Sequence, residues 1–139
     1  MAVITKVSPL APNAFPDLPV IKGVRFATAA AGVKYQGRTD VMLAVVDVGS
    51  SVAGVFTKSA TRAAPVLDCQ DKIGKSSDAG VAILVNSGNA NAFTGKYGRA
   101  SVEAITSAVA ASTDMPVARV FTSSRVSLVN HCHMIASLR

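Results

Sequence analysis

The chain reads as an α/β domain of layered strands and helices, and three observations lead there. Apolar runs of strand length recur along it. A longer stretch after residue 98 switches to helical spacing. The order is strands first, then helix, strand, helix and strand, which fits a layered sheet with helices packed on it and not a sandwich or a bundle. With 139 residues, half of them hydrophobic and 16% charged, there is enough apolar material for one core. Alanine, valine, glycine and serine dominate and aromatics are few, which suits closely packed layers.

Residues 1–22 carry Pro9, Pro12, Pro16 and Pro19 and read as an extended arm leading into the domain. Residues 24–32 form a first short strand, whose small residues (Ala27, Ala29, Ala30, Ala31) predict a close-packed neighbour. A turn follows at 35–39. Residues 41–48, apolar except for Asp47, predict a central strand buried on both faces. Gly49-Ser-Ser51 turns the chain, and 52–57 predicts a further strand that pairs back as a hairpin. Residues 63–73 predict a helix, with Pro65 tolerated in its first turn. A polar loop at 74–80 precedes the clearest strand, 81–85. From Gly98, Val102, Ile105 and Val109 fall on one helical face with Glu103 opposite. That helix ends at Asp114-Met-Pro116, because the residue before a proline avoids helical geometry. Residues 117–121 predict the last strand, running into Thr122-Ser-Ser124.

Composition narrows the function. The formal charge is +6, but the fourteen lysines and arginines are spread singly and tryptophan is absent, which argues against a nucleic-acid surface. No stretch approaches the ~20 apolar residues of a membrane span, and the N-terminus lacks a secretory apolar core. Two cysteines, Cys69 and Cys132, make no disulfide framework, so a reducing cytoplasm is the expected location. His131-Cys-His133 places three potential ligands in a row, which cannot all reach one ion with tetrahedral geometry; no metal is expected. There is no paired-carboxylate motif, phosphate loop or G-x-S-x-G elbow.

Two polar segments stand at strand ends. Asn86-Ser-Gly-Asn-Ala-Asn91 follows the clearest strand. Asn and Gly tolerate positive φ, so this is either a structural turn or a site wall presenting amide groups, with Asn86, Ser87, Gly88, Asn89 and Asn91 as candidates. Thr122-Ser123-Ser124 is either a hydrophilic loop or a source of hydroxyl and N–H donors for a developing oxyanion.

Several segments together resemble the ornithine acetyltransferase (glutamate N-acetyltransferase) family of arginine biosynthesis. They are residues 23–40 (GVRFATAAAGVKYQGRTD), Val52-Ala-Gly-Val-Phe-Thr57, Ala64-Pro-Val66 and residues 85–95 (VNSGNANAFTG), in matching order and spacing over roughly residues 7–124. The resemblance implies the N-terminal part of that fold, with residues 23–124 as the partial domain. It implies a longer precursor that cleaves itself before a threonine. That threonine, the N-terminal nucleophile of a second (β) subunit, passes acetyl from N-acetylornithine to glutamate through an acetyl-enzyme. The nucleophile of such a protein lies beyond Arg139, so the chain alone is expected to be inactive and to need the second subunit. No cofactor is implied, although acetyl-CoA is a possible substrate of the full-length family. A stand-alone small-molecule binder and a basic interaction module stay open as alternatives.

The family's oxyanion Thr-Gly pair is expected on Arg125 and Val126, which match neither member. Back-translating 125–134 as CGG GTG TCA TTG GTG AAC CAT TGC CAC ATG and placing one A in front reads Thr-Gly-Val-Ile-Gly-Glu-Pro-Leu-Pro-His, the family phrase. Residues 125–139 are therefore expected to be an out-of-frame tail; a divergent in-frame tail is the alternative.

Overall fold

A computed structural model of the chain describes residues 9–10, 14, 17, 19–34, 36–88 and 90–125. Four strands, β1 (Val24–Ala29), β2 (Val41–Val46), β3 (Val81–Ser87) and β4 (Val120–Arg125), form one sheet in the order β1-β2-β3-β4. The first two junctions are antiparallel and β3–β4 is parallel. Helix α1 (Ala64–Lys72) precedes β3, and α2 (Gly95–Thr113) carries the crossover from β3 to β4.

The crossover explains the core. Ala82, Leu84 and Val120 alternate onto one sheet face and meet Ile105, Val109 and Ala110 of α2. Each fully buried valine or leucine there contributes about 1.5–3 kcal/mol. On the other face Val81 and Phe121 pack with Cys69 of α1, and Val52, Phe56 and Ile73 close over them. Asp114 ends α2 in a left-handed conformation (φ 53°), Met115 N–H bonds the Ala110 carbonyl at 3.0 Å, and Pro116 prevents continuation.

Arg119 joins the amino ends of β3 and β4 to the neighbouring loops. Its buried guanidinium donates to the carbonyls of Gly80 (3.0 Å), Ser50 (2.7 Å) and Ala79 (3.2 Å). Helix α1 runs along the outer edge of β4: Lys72 Nζ donates to the Val120 carbonyl (3.1 Å) and Cys69 Sγ to the Thr122 carbonyl (3.4 Å). That edge is thereby closed to further strand pairing.

Several expectations change. The segment 52–57 is no strand: β2 has only two edges, which β1 and β3 occupy, so 52–57 crosses the sheet and delivers Val52 and Phe56 to the core. β2 is central but not buried on both faces; only Ala44 is fully buried, because α2 covers β3 and β4 and reaches β2 only through Val41 and Leu43. β1 stops at Ala29 and, beyond Val24, is exposed, so the close-packed neighbour expected from its alanines is not there among the described residues. α2 begins at Gly95, one turn before the apolar period. Residues 117–119 form a 3₁₀ turn, with Arg119 N–H on the Pro116 carbonyl (2.8 Å), which pushes the last strand to Val120–Arg125. Thr122, Ser123 and Ser124 consequently lie inside β4 and not in a loop after it.

Candidate functional site

The parallel β3–β4 pair sets Val85 beside Ser123, Asn86 beside Ser124 and Ser87 beside Arg125. Asn86 and Ser124 alternate onto the α2 face, and Ser124 Oγ donates to Asn86 Oδ1 at 2.7 Å. Asn86 is buried and Ser124 half-buried, whereas Ser123 points to the opposite face and is exposed. The sheet thus joins two of the sequence-predicted residues at the carboxyl ends of parallel strands, the side where α/β sheets bind ligands.

A third element shapes this end. The Asp40 carboxylate, buried just before β2, accepts from Ala31 N–H (Oδ1, 2.7 Å) and Val33 N–H (Oδ2, 2.6 Å), winding residues 30–33 around itself. The Asp40 carbonyl accepts from Ser87 N–H at 2.8 Å. The loop therefore lies against the end of β3, where Gly88 has φ 112° and a Cβ would fall 2.7 Å from Lys34 Cβ. Sequence reasoning missed Asp40. Its signal was an acid closing the turn Gln36-Gly-Arg-Thr-Asp40 immediately before an apolar run.

Asn91 separates from this cluster. Its carbonyl accepts from Ala64 N–H (3.3 Å) and Thr94 Oγ1 (3.0 Å), linking the turn to the start of α1. It lines a groove of about 770 Å³ between α1 and the first turns of α2, together with Arg62, Asp68, Phe93, Lys96 and Arg99; Asn86, Ser87, Gly88, Ser123 and Ser124 do not line that groove. Between β3 and α2, Gly88, Asn91 (φ 50°), Phe93 (φ 58°) and Gly95 all have positive φ. Phe93, a bulky residue in the left-handed region, is strained there and 78% exposed. Asn89, Val126 and His131-Cys-His133 lie outside the described residues.

The chemistry of this end is that of binding and orientation. It offers hydroxyl, amide and backbone groups. Asp40 has both oxygens engaged and buried, which leaves it poorly placed to act as a base. Burial pushes the Cys69 thiol above its ordinary value, so it is held as the unreactive neutral form. Thr122 Oγ1 is buried on the α2 face without a hydrogen-bond partner. Among the described residues no three ligating side chains converge as a metal site, and no helix is long and apolar enough to cross a membrane.

Comparison with known proteins gives consistent matches. The model of the ArgJ family matches residues 25–131. The "Arginine biosynthesis bifunctional protein ArgJ" of Ruegeria pomeroyi is 74% identical over 124 residues, which is 89% of this chain and 30% of that protein. The protein of the same name from Nitrobacter winogradskyi is 57% identical over 109 residues, 77% of this chain and 26% of that protein. The crystal structure of the ArgJ protein of Bacillus halodurans superposes with a TM-score of 0.72 at 31% identity, covering 81% of this chain and 58% of that one. Ornithine acetyltransferase of Mycobacterium tuberculosis, crystallised with ornithine, superposes with a TM-score of 0.67 at 32% identity, over 81% of this chain and 61% of that one. The chain spans about 30% of the length of the most similar of these relatives.

Proposed function

The chain belongs to the ArgJ family, and from that premise we propose that it is the N-terminal portion of a glutamate N-acetyltransferase. The assembled enzyme moves acetyl from N-acetylornithine to glutamate through an acetyl-threonine, and the threonine comes from a second subunit corresponding to the part of the relatives beyond the match. This chain contributes one wall of the site. Asn86 and Ser124, flanked by Ser87 and Gly88, orient a polar amino-acid substrate, and the position after Ser124 is where an in-frame chain would carry the oxyanion Thr-Gly pair. The observation that carries this is the Asn86–Ser124 hydrogen bond at the carboxyl end of the parallel pair, one residue before the expected Thr-Gly position at Arg125 and Val126. Ornithine bound to the M. tuberculosis relative supports an amino-acid substrate class.

Residues 125–139 are read, on the same proposal, as out of frame. Arg125 and Val126 then stand where the oxyanion pair belongs, and loss of one such donor costs about 10²–10³ in rate. Two measurements decide the matter. Sequencing the coding DNA around codon 125 is expected to show that one added base restores Thr-Gly-Val-Ile-Gly. The purified chain, given N-acetylornithine or acetyl-CoA with glutamate, is expected to form no N-acetylglutamate. The frame-restored chain, co-expressed with the downstream part of the R. pomeroyi protein, is expected to form it. Turnover by the 139-residue chain alone, or silence of the restored pair when both parts are folded, sinks the proposal.

A further inference from the structure

Asp40 is bonded more completely than a residue at a strand end needs to be. Its N–H donates to the Ala29 carbonyl (3.1 Å) and its carbonyl accepts from Ser87 N–H (2.8 Å), so it stands between the last residue of β1 and the last residue of β3. Its two carboxylate oxygens take the N–H groups of Ala31 and Val33, one each, at charge-assisted lengths of 2.7 and 2.6 Å. Burying a carboxylate is costly unless its oxygens are engaged, and a carboxylate offers a separate oxygen to each of two N–H groups. Gly32, at φ 69°, lets the chain curl between them. The curl ends at Lys34, which packs so closely on Gly88 that a Cβ there would fall 2.7 Å from Lys34 Cβ.

We propose that Asp40 is a positioning residue for the substrate wall: its carboxylate holds residues 31–34 in a curl whose far end braces Gly88, and the brace fixes how Asn86, Ser87 and Gly88 meet an amino-acid substrate. Each of the four polar groups of Asp40 is already engaged, so it acts through the brace and not on the substrate. The inference rests on the reading of residues 86–88 as a site wall. It adds that loosening residues 31–34, which hold none of the site residues, weakens substrate binding without slowing turnover of bound substrate. The brace can be released from either side. Asp40→Asn turns one of the two N–H groups toward an amide NH₂. Gly88→Ala leaves the bonds of Asp40 in place and pushes the curl away from β3.

The frame-restored chain, co-expressed with the downstream part of the R. pomeroyi protein, tests this kinetically. Both variants are expected to raise KM for N-acetylornithine and glutamate about tenfold, with kcat per titrated active site within about twofold of the parent. The double variant is expected to be no worse than the poorer single one, because both release the same contact. An unchanged KM with a lower kcat, or additive losses, overturns the proposal. Amide hydrogen exchange of the 139-residue chain tests the brace without turnover. Asp40→Asn is expected to speed exchange about tenfold at Ala31, Val33 and also Ser87, with Leu84 unchanged. Faster exchange at Ala31 and Val33 alone shows that the curl does not brace β3 and overturns the proposal as well. An inactive parent pair whose chain exchanges as expected sinks the acetyltransferase reading and keeps the brace.

Discussion

The β3–β4 half of the sheet and the β1–β2 half differ in what surrounds them more than in the residues they use. Both halves are rich in valine and alanine. Around β3 and β4 those residues are covered by α2 on one face and by α1 with residues 52–56 on the other, and the β4 edge is closed by Lys72 and Cys69. Around β1 the same residue types stand exposed, and among the described residues no strand pairs with its outer edge. Stability should therefore be concentrated in the β3–β4 half.

Substitutions test how deep this division runs. Leu84→Ala, in the covered half, is expected to cost about 3 kcal/mol, read as a lower urea midpoint, because the pocket against α2 cannot collapse around the missing atoms. A loss below about 1 kcal/mol would mean the two halves are equally loose. Arg119→Met is expected to cost about 2 kcal/mol by the same measurement, since it strips the donors from the Gly80, Ser50 and Ala79 carbonyls while keeping the aliphatic stem.

Cys69 gives a smaller, pH-dependent effect. Its folded pKa is raised above the ordinary 9.0, mainly by desolvation. The stability associated with the buried neutral thiol is fully present below the unfolded pKa and is lost as pH rises through it toward the folded value. The parent should therefore lose stability above about pH 9 more steeply than Cys69→Ala, a difference visible in paired melts; parallel pH curves would contradict it. The least effect is expected from Phe26→Ala. It should change stability by under about 0.5 kcal/mol, because the ring is already exposed. A large loss there would show that the β1–β2 half has a cover of its own.

Much of this arrangement was readable from local pattern. The apolar run at 81–85, the 102–105–109 stripe, Pro65 in the first turn of α1 and the stop at Pro116 each report on a single element, and each falls in the element its pattern announces. The polar turn after β3 was also visible as a candidate site, since Asn and Gly mark positive φ in the sequence itself. What pattern could not supply was pairing. Residues 52–57 are as strand-like as 41–46, yet a strand has two edges and β1 and β3 hold both of those of β2. Nor could it reveal that Ser124 would reach Asn86, 38 residues away, or that Asp40 would fold 30–33 onto the end of β3. Local propensity is set by a residue and its near neighbours, so it can be read along the chain. The choice among competing partners depends on which surfaces remain unfilled once the others have packed, and that is settled only in three dimensions.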